Sequence, residues 1–208
     1  MIDKSKVVSL TVELIQCFVE QVWYHRYVYP PESFDRARSF QLPVYTSRHP
    51  DVKQYVKTLA VKWRDLLERG RLNRVFVEIY RGDSSVVSET YAVSLTNSPL
   101  LEALSSGLEL SDEFKMNVLY AEFQAFLYSV INELQTAEKF DTPSTFKVLI
   151  SADNSVFNQL LAQDWTLHKT QVATSTPSTA PPTRIHEFRQ LSLPYLNIKG
   201  FYAEHLPC

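Results

Sequence analysis

Five histidines, His25, His49, His168, His186 and His205, and two cysteines, Cys17 and Cys208, are the side chains best suited to bind a metal or attack a substrate. Their spacing argues against both. No two histidines stand at the i, i+4 separation that places a pair of imidazoles on one helix face for zinc. Cys17 lies inside an apolar periodic stretch, where a small core side chain is the expected role. The chain has only four glycines, and neither a phosphate-cradling glycine loop nor a G-x-S-x-G nucleophile elbow is present. The expectation is a non-enzymatic protein without cofactor or metal; a catalytic site assembled from residues remote in sequence is the alternative.

Charge narrows the partners. Arg36, Arg38 and Arg48 amount to a local positive patch, and a solvated arginine-rich loop is its simpler meaning. The formal charge of -2 and pI of about 6.2 lack the basic excess that phosphate binding demands, so no direct nucleic-acid binding is expected. Two cysteines without a disulfide framework suit a reducing, intracellular compartment. The opening MIDKSKVVSL has too short an apolar run for a signal peptide, and no stretch reaches the ~18 apolar residues of a membrane span. A soluble protein with no membrane partner is expected.

These residues must be carried by a sizeable scaffold. At 208 residues, 45% hydrophobic, the chain has enough apolar surface for one core, although two small domains also fit the length. From about Lys6 to Tyr27 no Gly or Pro intervenes, and Val8, Val12, Ile15, Val19, Val22 and Trp23 recur at near-helical spacing. This predicts a long, largely buried first helix, stopped by Pro30 and Pro31. An irregular crossing through Phe34, Phe40, Leu42 and Pro43 is expected next. His49-Pro50 then opens a second helix, with Val52, Tyr55, Val56, Leu59, Trp63, Leu66 and Leu67 on one face and Gly70 as its C-terminal cap.

Arg74 to Tyr80 and Val86 to Leu95, rich in β-branched and aromatic residues, flank Gly82-Asp83-Ser84 and predict an antiparallel hairpin. Ser111 is a plausible N-cap for a third long helix, which runs to about Leu134 with Leu119, Phe123, Phe126, Leu127 and Val130 as its apolar stripe. Thr145 to Ala152 has strand composition. Together these define an α+β fold, three main helices packed on a largely antiparallel β-sheet.

Beyond Ala152 the character changes. Thr170 to Thr183 is a Ser/Thr/Pro/Ala tract that reads as a mobile loop. Apolar residues return from Ile185 to Tyr202, so the tail carries surface to bury, and docking back onto the core is the expectation.

Tyr24-His25-Arg26-Tyr27-Val28-Tyr29-Pro30-Pro31-Glu32-Ser33-Phe34 closely resembles the end of the first helix in the HORMA-domain family, where a Y-x-R-x-x-Y-P-x-x-x-F pattern recurs. Two branches share it, the spindle-checkpoint proteins and the accessory subunits of translesion DNA polymerase zeta. Leu42-Pro43-Val44, Ser47-Arg48-His49-Pro50, Gln54-Tyr55 and Asp164-Trp165 resemble the second branch.

The resemblance implies a single HORMA domain over 1–208, with a core of about 1–151 and a C-terminal safety belt of about 152–208 that closes over a bound peptide. It further implies a proline-containing peptide of the polymerase zeta catalytic subunit as client, held by Tyr55 and Trp165. A second surface, at Ile185, Gly200 and Tyr202, is implied for the C-terminal domain of a scaffolding translesion polymerase; Gly200 stands where relatives carry a longer polar side chain. Homodimer pairing through the third helix is implied at Gln124, where relatives carry an arginine. An AAA+ remodelling ATPase and a nuclear location complete the implied setting, and a spindle-checkpoint adaptor with a different client is the alternative.

Overall fold

The first helix, α1 (Lys4–His25), buries Val8, Val12, Ile15, Val19, Val22 and Trp23, as their spacing predicts. It ends before the prolines act. Tyr27 takes a left-handed φ of 52°, Val28 N–H donates to Trp23 O at 3.0 Å and Tyr27 N–H to Tyr24 O at 3.4 Å, so the last carbonyls are satisfied by a Schellman-type cap. The computed structural model describes residues 4–82, 85–107, 115–138, 144–163, 165–168 and 183–205.

The segment expected to be an irregular crossing is instead an antiparallel hairpin of β1 (Phe34–Ser39) and β2 (Leu42–Ser47). Polar residues on α1 hold it. Gln21 Nε2 donates to Tyr45 O at 2.9 Å, Gln21 Oε1 accepts from Tyr45 N–H at 3.2 Å, and Glu20 Oε1 accepts from Ser47 N–H at 3.0 Å. These contacts explain how Glu20 and Gln21 can be buried beside the apolar stripe of α1, since an unmatched polar group there would be costly.

His49 caps α2 (Pro50–Glu68) by accepting from Asp51 N–H, and Gly70, with φ 65°, ends it as expected. The predicted hairpin is β3 (Leu72–Arg81) with β4 (Glu89–Ser94). A short helix beyond the three main ones, α3 (Pro99–Ser106), follows. The next helix, α4 (Met116–Thr136), begins after Lys115; Ser111, the expected N-cap, lies outside the described residues.

After β5 (Ser144–Ala152) come α5 (Phe157–Leu161) and three tail strands, β6 (Thr183–Glu187), β7 (Leu191–Ser192) and β8 (Asn197–His205). The expected mobile loop, Thr170 to Thr183, falls outside the described residues except for Thr183 itself. The tail docks on the core. Its strand β8 pairs with β4, giving an antiparallel sheet ordered β5-β3-β4-β8-β6, with β7 also on β8. α1 packs beside α2 and α4 and on β3, and one cluster of buried side chains runs from Val7 to Tyr202. This is the α+β architecture expected, helices against a largely antiparallel sheet.

Candidate functional site

The docked tail leaves β5 with one side unpaired. Leu95 N–H donates to Asn73 O and Ser88 N–H to Ile79 O, each at 2.8 Å, so the odd-numbered residues of β3 turn their backbone groups toward β4. Even-numbered residues therefore face β5, through the pairs Arg74↔Ser151, Phe76↔Leu149, Glu78↔Lys147 and Tyr80↔Thr145. By the alternation of an antiparallel ladder, the N–H and C=O groups of Phe146, Val148 and Ile150 point outward, to an edge that no described strand pairs. Such an edge is a template for an added strand.

Two cavities lie along that edge. The first, of about 420 Å³, is lined by residues that include Tyr55, Leu59 and Lys62 of α2, Phe146 and Lys147 of β5, and Trp165. The second, of about 410 Å³, continues toward the end of β5 past Phe76, Leu149, Phe157, Leu160 and Leu161. Trp165, Thr166, Leu167 and His168 line both, so this stretch forms the outer wall of one continuous groove.

Tyr55 and Trp165, paired by resemblance, thus meet at one cavity. Helical spacing alone would suggest a buried Tyr55, yet it is 41% exposed and stacks on Trp23 with ring centroids 6.1 Å apart. Trp165 N–H donates to Leu160 O at 3.2 Å, which fixes its backbone just after α5. Its indole Nε1 is buried and meets no acceptor among the described residues. Lys62 Nζ lies 5.5 Å from the Trp165 ring centroid and donates to Gln163 O at 2.7 Å. His168 Nε2 stands 3.7 Å from Glu78, whose carboxylate also accepts from Tyr80 Oη at 2.6 Å. Nothing in the sequence singles out Lys62, and His168 stands there only as one of five scattered histidines; the fold brings both to the groove.

The tail residues separate. Ile185 is 66% exposed, opposite Ala203, whereas Tyr202 is buried, its ring stacked between Tyr91 at 5.3 Å and His186 at 4.4 Å. Gly200 is buried as well, beneath Phe126 of α4 and Phe188. Ile185 therefore does not share a surface with the other two. Gln124 lies half-buried on α4, one turn from the exposed Tyr128.

Arg26, the arginine of the helix-end pattern, is fully buried. Its Nε donates to Tyr91 Oη at 2.7 Å and lies 3.2 Å from Glu89, while its Nη1 donates to Glu138 O at 2.8 Å. Burial pushes the Glu89 carboxyl up, although Arg26 and the Tyr91 hydroxyl draw it down. The cluster fastens the end of α1 to β4 beneath Tyr202 of the tail, so this part of the sequence pattern is structural.

Among the described residues no group of three or more His, Cys, Asp or Glu side chains is placed to hold a metal, and no helix is long and apolar enough to cross a membrane. The groove offers main-chain hydrogen bonds, aromatic faces and apolar walls, an arrangement for binding an extended chain.

No family model matches the chain. In fold and in sequence relatives the chain is similar to proteins of the HORMA-domain family. Those relatives come from both branches. It is 26% identical over 148 residues to maize mitotic spindle checkpoint protein MAD2, covering 71% of this chain and 69% of that protein. It is 26% identical over 153 residues to Drosophila DNA polymerase zeta subunit 2, covering 72% and 71%. To human mitotic spindle assembly checkpoint protein MAD2B it is 29% identical over 102 residues, about half of each chain at 49% and 48%. Among solved structures, a chain of the mitotic checkpoint complex superposes with a TM-score of 0.69 at 19% identity, covering 97% of this chain and 98% of that one. C. elegans HTP-2 bound to the HIM-3 closure motif gives 0.66 at 12% identity, covering 97% and 91%.

Proposed function

We propose that this chain is a non-catalytic adaptor that captures an extended, proline-containing peptide along β5, beneath the segment carrying Trp165, and that it serves as the accessory subunit of translesion DNA polymerase zeta. The observation that carries the reading is the unpaired β5 edge with Tyr55 and Trp165 lining one cavity beside it. An added strand would exchange main-chain hydrogen bonds with Phe146, Val148 and Ile150, which gives affinity with modest sequence demand. Prolines in the client reduce the entropy cost of staying extended, and the flat rings of Tyr55 and Trp165 offer them packing surfaces. A client carbonyl would also satisfy the buried Trp165 indole N–H. Because the C-terminal segment must open before the client leaves, release is slow relative to an open groove of equal area.

The polymerase role draws on the resemblance of residues 42–55 and 164–165 and on the match to Drosophila polymerase zeta subunit 2. On this reading the protein acts in the nucleus during DNA damage bypass. It couples the catalytic chain to the C-terminal domain of a scaffolding translesion polymerase, with Ile185 on the exposed part of the tail, and an AAA+ ATPase reopens it. Pairing of two copies would use α4 around Gln124. The match to maize MAD2 favours a second reading, a checkpoint adaptor with the same capture mechanism and another client.

The full chain, immobilised, should retain synthetic peptides from the polymerase zeta catalytic chain in preference to peptides from checkpoint clients. The reverse preference would establish the second reading. Trp165→Ala should accelerate peptide release, and an unchanged release rate would remove Trp165 from the site.

A further inference from the structure

The two halves of the β5 groove differ in chemistry. Around Phe146 and Lys147 the lining includes three basic side chains, Lys62, Lys147 and His168, and no carboxylate. His168 is matched by Glu78. The two lysines are not matched by an acid: Lys62 Nζ meets a main-chain carbonyl and the Trp165 face, and Lys147 Nζ lies 4.8 Å from the Tyr80 ring centroid. Neither has a carboxylate at ion-pair distance among the described residues. Toward Ala152 the lining gains Phe157, Leu160 and Leu161 beside Ser151, Asp153 and Asn154, while Leu167 and His168 line both halves; Phe157, Leu161 and Leu167 are 42%, 46% and 63% exposed.

Resting on the capture reading above, we infer that the segment preferred by this groove is bipartite, with an acidic side chain beside Lys62 and Lys147 and a pair of bulky apolar side chains beside Phe157, Leu161 and Leu167. Charge complementarity selects the first part. An anion approaching these ammonium groups within a cleft, where the effective dielectric is below that of open water, is attracted more strongly than it would be in solution. The apolar part follows from strand geometry, because residues i and i+2 of an extended client project to the same side and reach the same wall. Lys147 and Ser151 are separated by four residues of β5, roughly 13 Å of extended chain, so the acidic and apolar parts are about four residues apart in the client. A client with a basic residue at the first position would meet like charge.

The test is a display library of random twelve-residue peptides with a fixed central proline, selected on the full chain and on a Lys62→Glu/Lys147→Glu variant. Wild-type selection should enrich Asp and Glu about four residues from an apolar i, i+2 pair, and the variant should enrich Lys and Arg at that place. The best wild-type peptide should bind the variant roughly tenfold more weakly, as expected for loss and reversal of two partly exposed charge contacts. A neutral Lys62→Gln/Lys147→Gln variant guards against misfolding and should lose the acidic bias while retaining apolar selection. Enrichment without acidic bias would overturn the bipartite inference and leave peptide capture standing. Failure to enrich any peptide would overturn both.

Discussion

Gly200 of β8 faces Phe126 of α4 so closely that a Cβ built on the glycine would lie 2.9 Å from the ring Cζ, and 2.8 Å from Cδ2 of Phe188. Absence of a side chain at this place lets the tail strand settle against the helix layer while remaining paired with β4. The tail is thus fitted to the core at one particular residue, through shape.

Gly200→Ala should therefore destabilise the docked tail. Overpacking of this kind typically costs about 1–3 kcal/mol unless both rings shift. Urea unfolding and limited proteolysis within 183–205 would report it. Unaltered stability with unaltered cleavage would mean that Phe126 and Phe188 give way freely.

Amide exchange along β5 should alternate. Lys147 and Leu149 direct their N–H groups to β3, whereas Phe146, Val148 and Ile150 direct theirs outward. In the free protein, NMR should find the first pair protected and the other three exchanging faster. Addition of a captured peptide should slow those three selectively. Uniform protection before any peptide is added would contradict an open edge.

The Glu20 carboxyl provides a pH signature. Burial raises it above its ordinary value near 4.5, outweighing the Ser47 N–H and the charge of Lys53, which draw it down. A raised folded-state value means that the folded chain binds this proton more tightly than the unfolded chain. Its contribution is fully present below the unfolded value and is lost as pH rises through the folded one. Glu20→Gln retains an oxygen for Ser47 N–H and cannot titrate. The stability of the parent relative to this variant should consequently fall as the pH goes from about 4 to about 8. Urea midpoints compared at the two ends would check it, and a rising difference would reverse the assignment.

Much of this architecture could be read from the sequence because the relevant signals were local. The apolar stripes of α1, α2 and α4 and the paired β-rich runs of β3 and β4 each follow from a period and a boundary residue. The β1–β2 hairpin looks like an irregular crossing in the sequence because its two-residue turn is Phe40-Gln41. These residues adopt φ of 47° and 60°. Such a turn ordinarily announces itself with Asn or Gly. For α3 the signals existed in Ser98, Pro99 and Gly107, a cap, a first-turn proline and a left-handed stop.

The groove was only partly legible. Tyr55 and Trp165 came from family resemblance, since neither spacing nor composition distinguishes a ring that lines a cleft from one in a core. Which sheet edge stays open depends on the tail choosing β4, a contact between distant parts of the chain. The place of Lys62 and His168 at the groove is hidden for the same reason. Arg26 illustrates the converse: it stood out in the motif, and its partners Tyr91 and Glu89 make it an internal fastening between α1 and β4.

The pairing of β8 with β4 also has a kinetic side. Thr90 meets His205 across 115 residues of chain. Closing so wide a span is entropically unfavourable and belongs late in the assembly of the molecule. On the ribosome, β4 must wait with a naked margin until Asn197–His205 has emerged, and any strand-forming neighbour that arrives sooner competes for the same seat.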